Sequence, residues 1–145
     1  MTGPERLCNQ PTDFHKFVGA PHHRLFAIFD DDVDAEEAVE ALRFEGFADG
    51  RDLWVFCGEE GARRLDVTGE SHGVWARGIR IVQKVMSNDF GYLQTLDEAL
   101  RNGSTVVAVW VPNEKTADEV GRLLRSFAGH SIAYGTHLDF VPVAA

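Results

Sequence analysis

The 145 residues are the usual length of one domain, and they suffice to bury a hydrophobic core. Hydrophobic residues make up 44% of the chain and charged residues 26%, a composition typical of folded globular proteins. The net charge of −9 argues against nucleic acid as a partner, because such binders neutralise phosphates with basic side chains. The longest apolar run, residues 106–111, is much shorter than a membrane-spanning helix, so we expect no transmembrane segment.

The cysteines and histidines give no metal-binding or disulfide pattern. The two cysteines, Cys8 and Cys57, are fewer than a secreted domain of this size usually has, and they form no CxxC pair. The six histidines form neither HxxxH nor HExxH. No signal-type apolar stretch follows Met1. We therefore expect a cytoplasmic protein with reduced thiols, no cofactor and no structural metal ion.

The first predicted unit begins with the apolar run of residues 25–29, which indicates a strand. Asp34 with Glu37 three residues later resembles a capping box and predicts the start of a helix. Apolar side chains then recur at helical spacing until Gly46, which is a suitable helix end. Residues 53–57 predict a second strand.

The second predicted unit repeats this order near the other end of the chain. Residues 105–111 indicate a strand, and Thr116, three residues before a glutamate, repeats the capping box. An apolar stripe at helical spacing follows and is expected to end at Gly129. Residues 131–134 and 138–141 supply further strand material.

The chain thus contains two strand–helix–strand units, 24–57 and 104–142, with an insertion at 58–103. Two such units interleaved in one antiparallel sheet give the ferredoxin-like arrangement, so we predict an α+β fold of this kind. Residues 1–23 contain three of the five prolines and no hydrophobic period, which predicts an N-terminal arm. Residues 24–145 are expected to form a single domain.

The insertion is predicted to be mostly helical. Residues 59–65 suit a short helix, and a longer helix is expected to end at Asn102-Gly103. Residues 74–87 place apolar side chains at helical spacing beside three basic ones, which indicates a basic amphipathic helix. Such a helix offers weak docking to an anionic membrane surface or a protein partner, although packing on the sheet explains its apolar face better.

The predicted strands are apolar on both faces, whereas the two repeat helices can cover only one face. Either the inserted helices or a second subunit must cover the other face. The residues expected on that face are Phe26, Trp54, Phe56 and Val107. Residues 30–60 contain twelve acidic side chains against two arginines, while 73–88 contain three basic side chains and no acidic one. Because the acidic and basic regions attract each other, they suit pairing between two chains, and we expect a homodimer. The alternative is that both regions are ordinary surfaces exposed to solvent.

Asp30 and Asp32 are the metal-ligand candidates, since carboxylates at the end of a buried strand can hold Mg²⁺. The same residues suit the N-terminus of a helix, where acceptor side chains and negative charge are stabilising. We favour this capping interpretation and predict no metal site.

A pocket for a planar ligand between the sheet and the insertion is the second candidate site. It would make the protein a small-molecule-binding or cofactor-binding protein, or an enzyme. Aromatic residues occur more often in a core, and histidines more often on a surface, than in a ligand pocket. The separations along the chain assign no catalytic residue. The candidates are Trp54, His72, Trp75, Trp110, His130, Tyr134 and His137.

Residues 27–66 run from a strand through a D-x-EEA-type helix ending in G-F to a second strand and the continuation GEEGARRLD. In this pattern the chain resembles a bacterial family of small general-stress or heat-induced stress proteins. The resemblance implies a bacterial cytosolic protein with a role in stress physiology, and it supplies no catalytic residues. We therefore expect a non-enzymatic, stress-related or regulatory domain that self-associates.

Overall fold

The computed structural model describes residue 8 and residues 23–49, 51–65, 87–135 and 140–143. The rest of the predicted N-terminal arm and nearly all of the predicted basic helix at 74–87 lie outside these residues. The elements are β1 (Arg24–Phe29), α1 (Asp32–Phe44), β2 (Leu53–Cys57), α2 (Gly58–Leu65), α3 (Ser87–Arg101), β3 (Thr105–Trp110), α4 (Glu114–Ser126), β4 (His130–Gly135) and β5 (Phe140–Pro142).

The strands form one sheet in the order β2-β3-β1-β4-β5, and every neighbouring pair is antiparallel. Because β1 and β2 are both antiparallel to β3 between them, they run in the same direction, and the segment joining them contains α1. By the same reasoning β3 and β4 run parallel on either side of β1, and α4 lies in their connection. The predicted α+β class is confirmed. Within the described ranges no helix has the length and apolar character needed to cross a bilayer.

The first face of the sheet packs against α1 and α4. Alternate residues of β1 point to this face, as expected for a pleated strand. The helices contribute the apolar stripes that the helical spacing predicted. The buried cluster includes Leu25, Ala27 and Phe29 of β1, Ala35, Ala38, Val39 and Leu42 of α1, and Ala117, Val120 and Leu124 of α4.

The second face packs against the inserted helices α2 and α3. Its cluster contains Phe26, Ile28, Trp54, Phe56, Val106 and Ala108 from the sheet, and Ala62, Leu96 and Leu100 from the two helices. Trp54 is only 2% exposed. The insertion therefore covers this face within one chain, and an uncovered face no longer gives a reason to expect a dimer.

The expectation that Val107 shares a face with Phe26 and Trp54 is wrong. Val107 pairs with Ala27 and Val55, so its side chain belongs to the first face. A shift of one residue along a strand exchanges the two faces, because side chains alternate with a period of two.

Both long repeat helices begin earlier than the capping boxes predicted. Asp31, not Asp34, is the N-cap of α1, and its carboxylate accepts a hydrogen bond of 2.8 Å from the Val33 amide. Asn113, not Thr116, is the N-cap of α4, and its side chain accepts a 2.9 Å hydrogen bond from the Thr116 amide. Asn is at least as good as Thr in this role, so residue preference does not favour Thr116 over Asn113, and it cannot distinguish Asp34 from Asp31.

The helix ends are closed by a left-handed residue. Gly46 (φ +103°) does this for α1, and the amides of Gly46 and Phe47 donate to the carbonyls of Arg43 and Leu42 in the Schellman pattern. Gly103 (φ +96°) closes α3 in the same way, as the sequence predicted.

The end of α4 differs from its prediction. Ala128, not Gly129, has the left-handed conformation, with φ +71°. Gly129 is needed for space, because a Cβ there would lie 2.8 Å from the Leu124 carbonyl oxygen and 2.9 Å from Phe29 Cζ. Glycine is therefore required at position 129, where there is no room for a Cβ. The left-handed backbone conformation falls on Ala128, the residue before it.

We expect Ala128→Gly to raise the free energy of unfolding by about 0.5–1 kcal/mol, because glycine adopts a positive φ without the penalty paid by an L side chain. Urea unfolding measures the change, provided that the slope of the unfolding free energy against urea concentration is the same for both proteins. Ala41→Gly, within α1, is the matched control and should instead lower stability by about 1 kcal/mol. A loss of stability for Ala128→Gly equal to that of the control would contradict this description of the helix end.

We expect Leu100→Ala to lower the free energy of unfolding by about 2–5 kcal/mol, because Leu100 is fully buried between α3 and the sheet. The loss should be the same at every protein concentration, since its neighbours belong to the same chain. Leu123→Ala, at a partly buried position on the first face, should cost less. A loss that changes with protein concentration would instead show that a partner contributes to the cover of this face.

Candidate functional site

Polar side chains gather at one end of the sheet, where β1 and β2 end and β3 and β4 begin. The strand register brings them there, since Thr105 pairs with both Phe29 and Cys57, and His130 pairs with Ile28. We call this set the polar row. It consists of Cys57, Ser104, Thr105, Asp30, Asp32, His130 and Ser131.

His130 connects an aspartate and a serine within the polar row. Its Nε2 lies 3.0 Å from Asp30 Oδ1, and its Nδ1 lies 3.0 Å from Ser131 Oγ. The Ser104 hydroxyl donates to the same aspartate oxygen at 3.2 Å. The hydrogen bond from His130 is the main influence that lowers the pKa of Asp30. One hundred residues separate Asp30 from His130, which is why the sequence could not place them together.

The Ser131–His130–Asp30 order is that of a nucleophile, a base and an orienting carboxylate. Ser131 also has a left-handed backbone, with φ +54°. However, the side chains of His130 and Asp30 are 44% and 73% exposed. Charge stabilisation is weak in such a solvated place, because catalytic electrostatics depend on excluding water. The geometry therefore supports a surface hydrogen-bond network better than a reaction centre.

We expect the carboxyl of Asp30 to titrate below the ordinary aspartate pKa of about 3.9, because His130 donates to its ionised form. Its contribution to stability is then present above the unfolded-state pKa and is lost as the pH falls through the lower folded-state pKa. Carboxyl chemical shifts followed by NMR measure the titration. The variant His130→Phe should return the pKa of Asp30 towards the ordinary value, whereas Ser104→Ala should move it less. No movement in His130→Phe would contradict the assignment.

Cys57, at the other side of the polar row, forms a disulfide with Cys8. This corrects the expectation of two reduced thiols. The pair joins residues 49 apart in sequence with a Cα–Cα distance of 5.3 Å, within the normal range for disulfides. Closing a loop of this length stabilises the folded state by about 4 kcal/mol in the chain-entropy description. No motif around Cys8 indicates that this residue reaches the end of β2.

The two candidate metal ligands are both engaged as hydrogen-bond acceptors. Asp30 accepts from the polar row as described, and Asp32 accepts a 3.0 Å hydrogen bond from the Thr105 hydroxyl. Asp32 is also the first residue of α1, where its charge suits the helix N-terminus. In the part of the chain that the structure describes, no three His, Cys, Asp or Glu side chains are grouped to hold a metal ion.

The pocket candidates that the structure describes are divided between the two faces of the sheet and between its two ends. Trp54 lies buried on the second face, whereas Tyr134 belongs to the first-face cluster. Trp110 ends β3, at the opposite end of the sheet from His130. The remaining candidates lie outside the described residues and are His72, Trp75 and His137.

An aromatic contact does form at the start of β1, around a residue that the sequence analysis did not select. His23 Nδ1 lies 2.9 Å from the Tyr134 hydroxyl. Its ring centroid is 6.3 Å from that of Trp110. Nearby, the Arg24 guanidinium stacks 4.6 Å above the Trp54 ring. Antiparallel pairing of β1 with both β3 and β4 brings these residues together, so only the register could have revealed them.

The outer side of α1 carries the most exposed large apolar side chain described. Phe44 is 89% exposed and Val33 is 56% exposed. Eleven residues correspond to about three helical turns, so both lie on one stripe, about 16 Å apart. Glu37 and Glu40 lie on the same stripe between them and are exposed. We call these four residues the acidic α1 surface.

The basic residue beside this surface is already paired. Arg43 forms ion pairs with Glu40 at 2.5 Å and with Asp49 at 2.8 Å. The hydrogen bond to Asp49 is the main cause that raises the pKa of Arg43. The surface therefore presents an apolar side chain at each end and negative charge between them.

Comparison of the chain with protein-family models, curated proteins and solved structures finds no match.

Proposed function

We propose that the protein is a non-enzymatic, stress-related domain that self-associates through the acidic α1 surface. The exposure of Phe44 at 89% is the observation that carries this proposal. Removing a phenylalanine side chain from water is worth about 1.5–3 kcal/mol, and exposed aromatic residues are frequent anchors of protein interfaces. Val33 provides a second apolar contact on the same stripe.

Charge complementarity favours a second copy of the chain as the partner. Residues 30–60, which include the acidic α1 surface, carry twelve acidic side chains against two arginines. Residues 73–88 have three basic side chains, no acidic one and apolar residues at helical spacing, and residues 73–86 lie outside the described residues. One chain thus contains both complementary sequences, and a two-fold dimer uses each of them twice. Attraction between them speeds association and weakens as salt is added.

The proposal includes a ferredoxin-like classification of the fold. The order β2-β3-β1-β4 with antiparallel neighbours and two crossover connections supports it. The inserted helices and β5 are additions to that arrangement. Such folds serve many functions, so this classification bears on architecture and not on activity.

The proposed stress-related role and the bacterial, cytoplasmic setting rest on the resemblance of residues 27–66 to general-stress proteins. A disulfide in the cytoplasm is usually transient, catalytic or redox-sensing. The Cys8–Cys57 disulfide is therefore compatible with a cytoplasmic location if it has one of these three roles.

Sedimentation equilibrium over a hundredfold concentration range tests the association. We expect a dimer at micromolar concentration that dissociates at high salt, and a monomer for Phe44→Glu. The matched control is Gln94→Glu, which adds the same charge at an exposed position of α3 and should still dimerise. A monomeric native chain, or a Phe44→Glu variant that associates as strongly as the native chain, would contradict the proposal.

A further inference from the structure

The disulfide joins residue 8 to the end of β2. Cys57 is the last residue of β2, and its side chain packs against the buried cluster of the first face, beside Thr105. The bond therefore ties a distant part of the chain to the polar row.

The surroundings of Cys57 suit a reduced thiol as well as a disulfide. Thr105 Oγ1 lies 3.7 Å from Cys57 Sγ and donates its single hydrogen to Asp32. A disulfide sulfur has no hydrogen to offer in return. After reduction the Cys57 S–H can donate to the remaining lone pair of the Thr105 oxygen, so the reduced state gains a hydrogen bond.

Both sulfur-bearing residues can be reached from solvent. Cys8 and Cys57 are each partly exposed, unlike the cysteines of a fully buried structural disulfide. The chain has no other cysteine, so no internal thiol can exchange with this bond. Any exchange therefore requires a thiol supplied from outside the chain.

We propose that Cys8–Cys57 is a redox-active disulfide that is opened by dithiol reductants and closes again on oxidation. A reductant thiolate attacks the Cys8 sulfur, and the S–S bond breaks with its electron pair leaving on Cys57, which then takes a proton from solvent. The second thiolate of the same reductant molecule then attacks the reductant sulfur that is bonded to Cys8. This closes the disulfide of the reductant and releases the Cys8 thiolate, which is also protonated. The protein gains two electrons and two protons, and the dithiol becomes a disulfide.

This exchange is separate from the proposed self-association, because neither cysteine belongs to the acidic α1 surface. Its consequence is the loss of the covalent link between residue 8 and the end of β2. The two proposals therefore fail independently, and the Phe44→Glu variant should exchange thiols as the native chain does.

A redox titration of the native chain tests the proposal. The protein is equilibrated with known ratios of reduced to oxidised dithiothreitol, quenched with acid and labelled with a maleimide that adds mass to each thiol. We expect one reversible two-electron transition. Thermal unfolding should be cooperative for both the fully reduced and the fully oxidised protein. A bond that opens only after denaturant is added, or a reduced chain that no longer unfolds cooperatively, would show a structural disulfide and overturn the proposal.

The variant Thr105→Val tests the role of the hydroxyl. Without the acceptor for the reduced thiol, the equilibrium should move about fivefold towards the disulfide, the factor expected for one hydrogen bond. Thr116→Val on α4 is the matched control and should titrate like the native chain. Because Thr105 is buried, thermal unfolding checks that each variant is folded. A folded Thr105→Val that titrates like the control would overturn the stabilisation of the reduced state by Thr105.

Discussion

The burial of β1 on both of its faces is the constraint from which the rest of the architecture follows. Residues 25–29 are nearly inaccessible to water, and their side chains alternate between two separate clusters. A strand that is apolar on both sides can lie only in the middle of a sheet with a layer on each face. The two repeat helices provide one layer, so a second layer is required and the insertion supplies it.

This requirement gives the insertion a structural purpose. Helices α2 and α3 are not loops added between two complete units, because Leu96 and Leu100 complete the cluster around Phe26 and Trp54. Each fully buried side chain of this size stabilises the fold by about 1.5–3 kcal/mol relative to exposure. Without these helices the sheet would expose a large apolar patch, which soluble monomers rarely tolerate. The proposed self-association therefore uses another surface, and among the described residues the outer side of α1 carries the most exposed large apolar side chain, Phe44.

The same constraint confines the polar chemistry of the sheet to its ends. No polar side chain can be placed in the interior of β1 without losing hydration, so the hydroxyl, imidazole and carboxylate groups collect where the strands meet their connections. At one end this gives the polar row from Cys57 to Ser131, and at the other end the contact of His23 with Tyr134. Side chains in such places combine exposure with a rigid support, as functional residues commonly do.

Local patterns in the sequence were sufficient to predict the strands, the helices and the two-sided burial, because period and turn chemistry are short-range properties. They were not sufficient at the helix starts, where Asp31 and Asn113 compete with equally suitable neighbours. They could not predict the site, since His130 meets Asp30 through strand register. The disulfide was missed for the same reason, as nothing near Cys8 shows where that residue lies.

The polar row also limits how strongly the redox state of Cys57 can act on α1. Thr105 links them by hydrogen bonding, because its hydroxyl contacts Cys57 Sγ and donates to Asp32 in the first turn of α1. Cys57 also packs against the first-face cluster, to which α1 contributes. A thiol donating to Thr105 polarises the hydroxyl and strengthens its bond to Asp32, but such cooperative gains are a fraction of one hydrogen bond. The whole bond is worth about 1 kcal/mol, or about a fivefold change in an equilibrium constant. A larger effect of reduction on the proposed association would therefore have to act through the release of residue 8 or through the packing of Cys57, and not through this hydrogen bond.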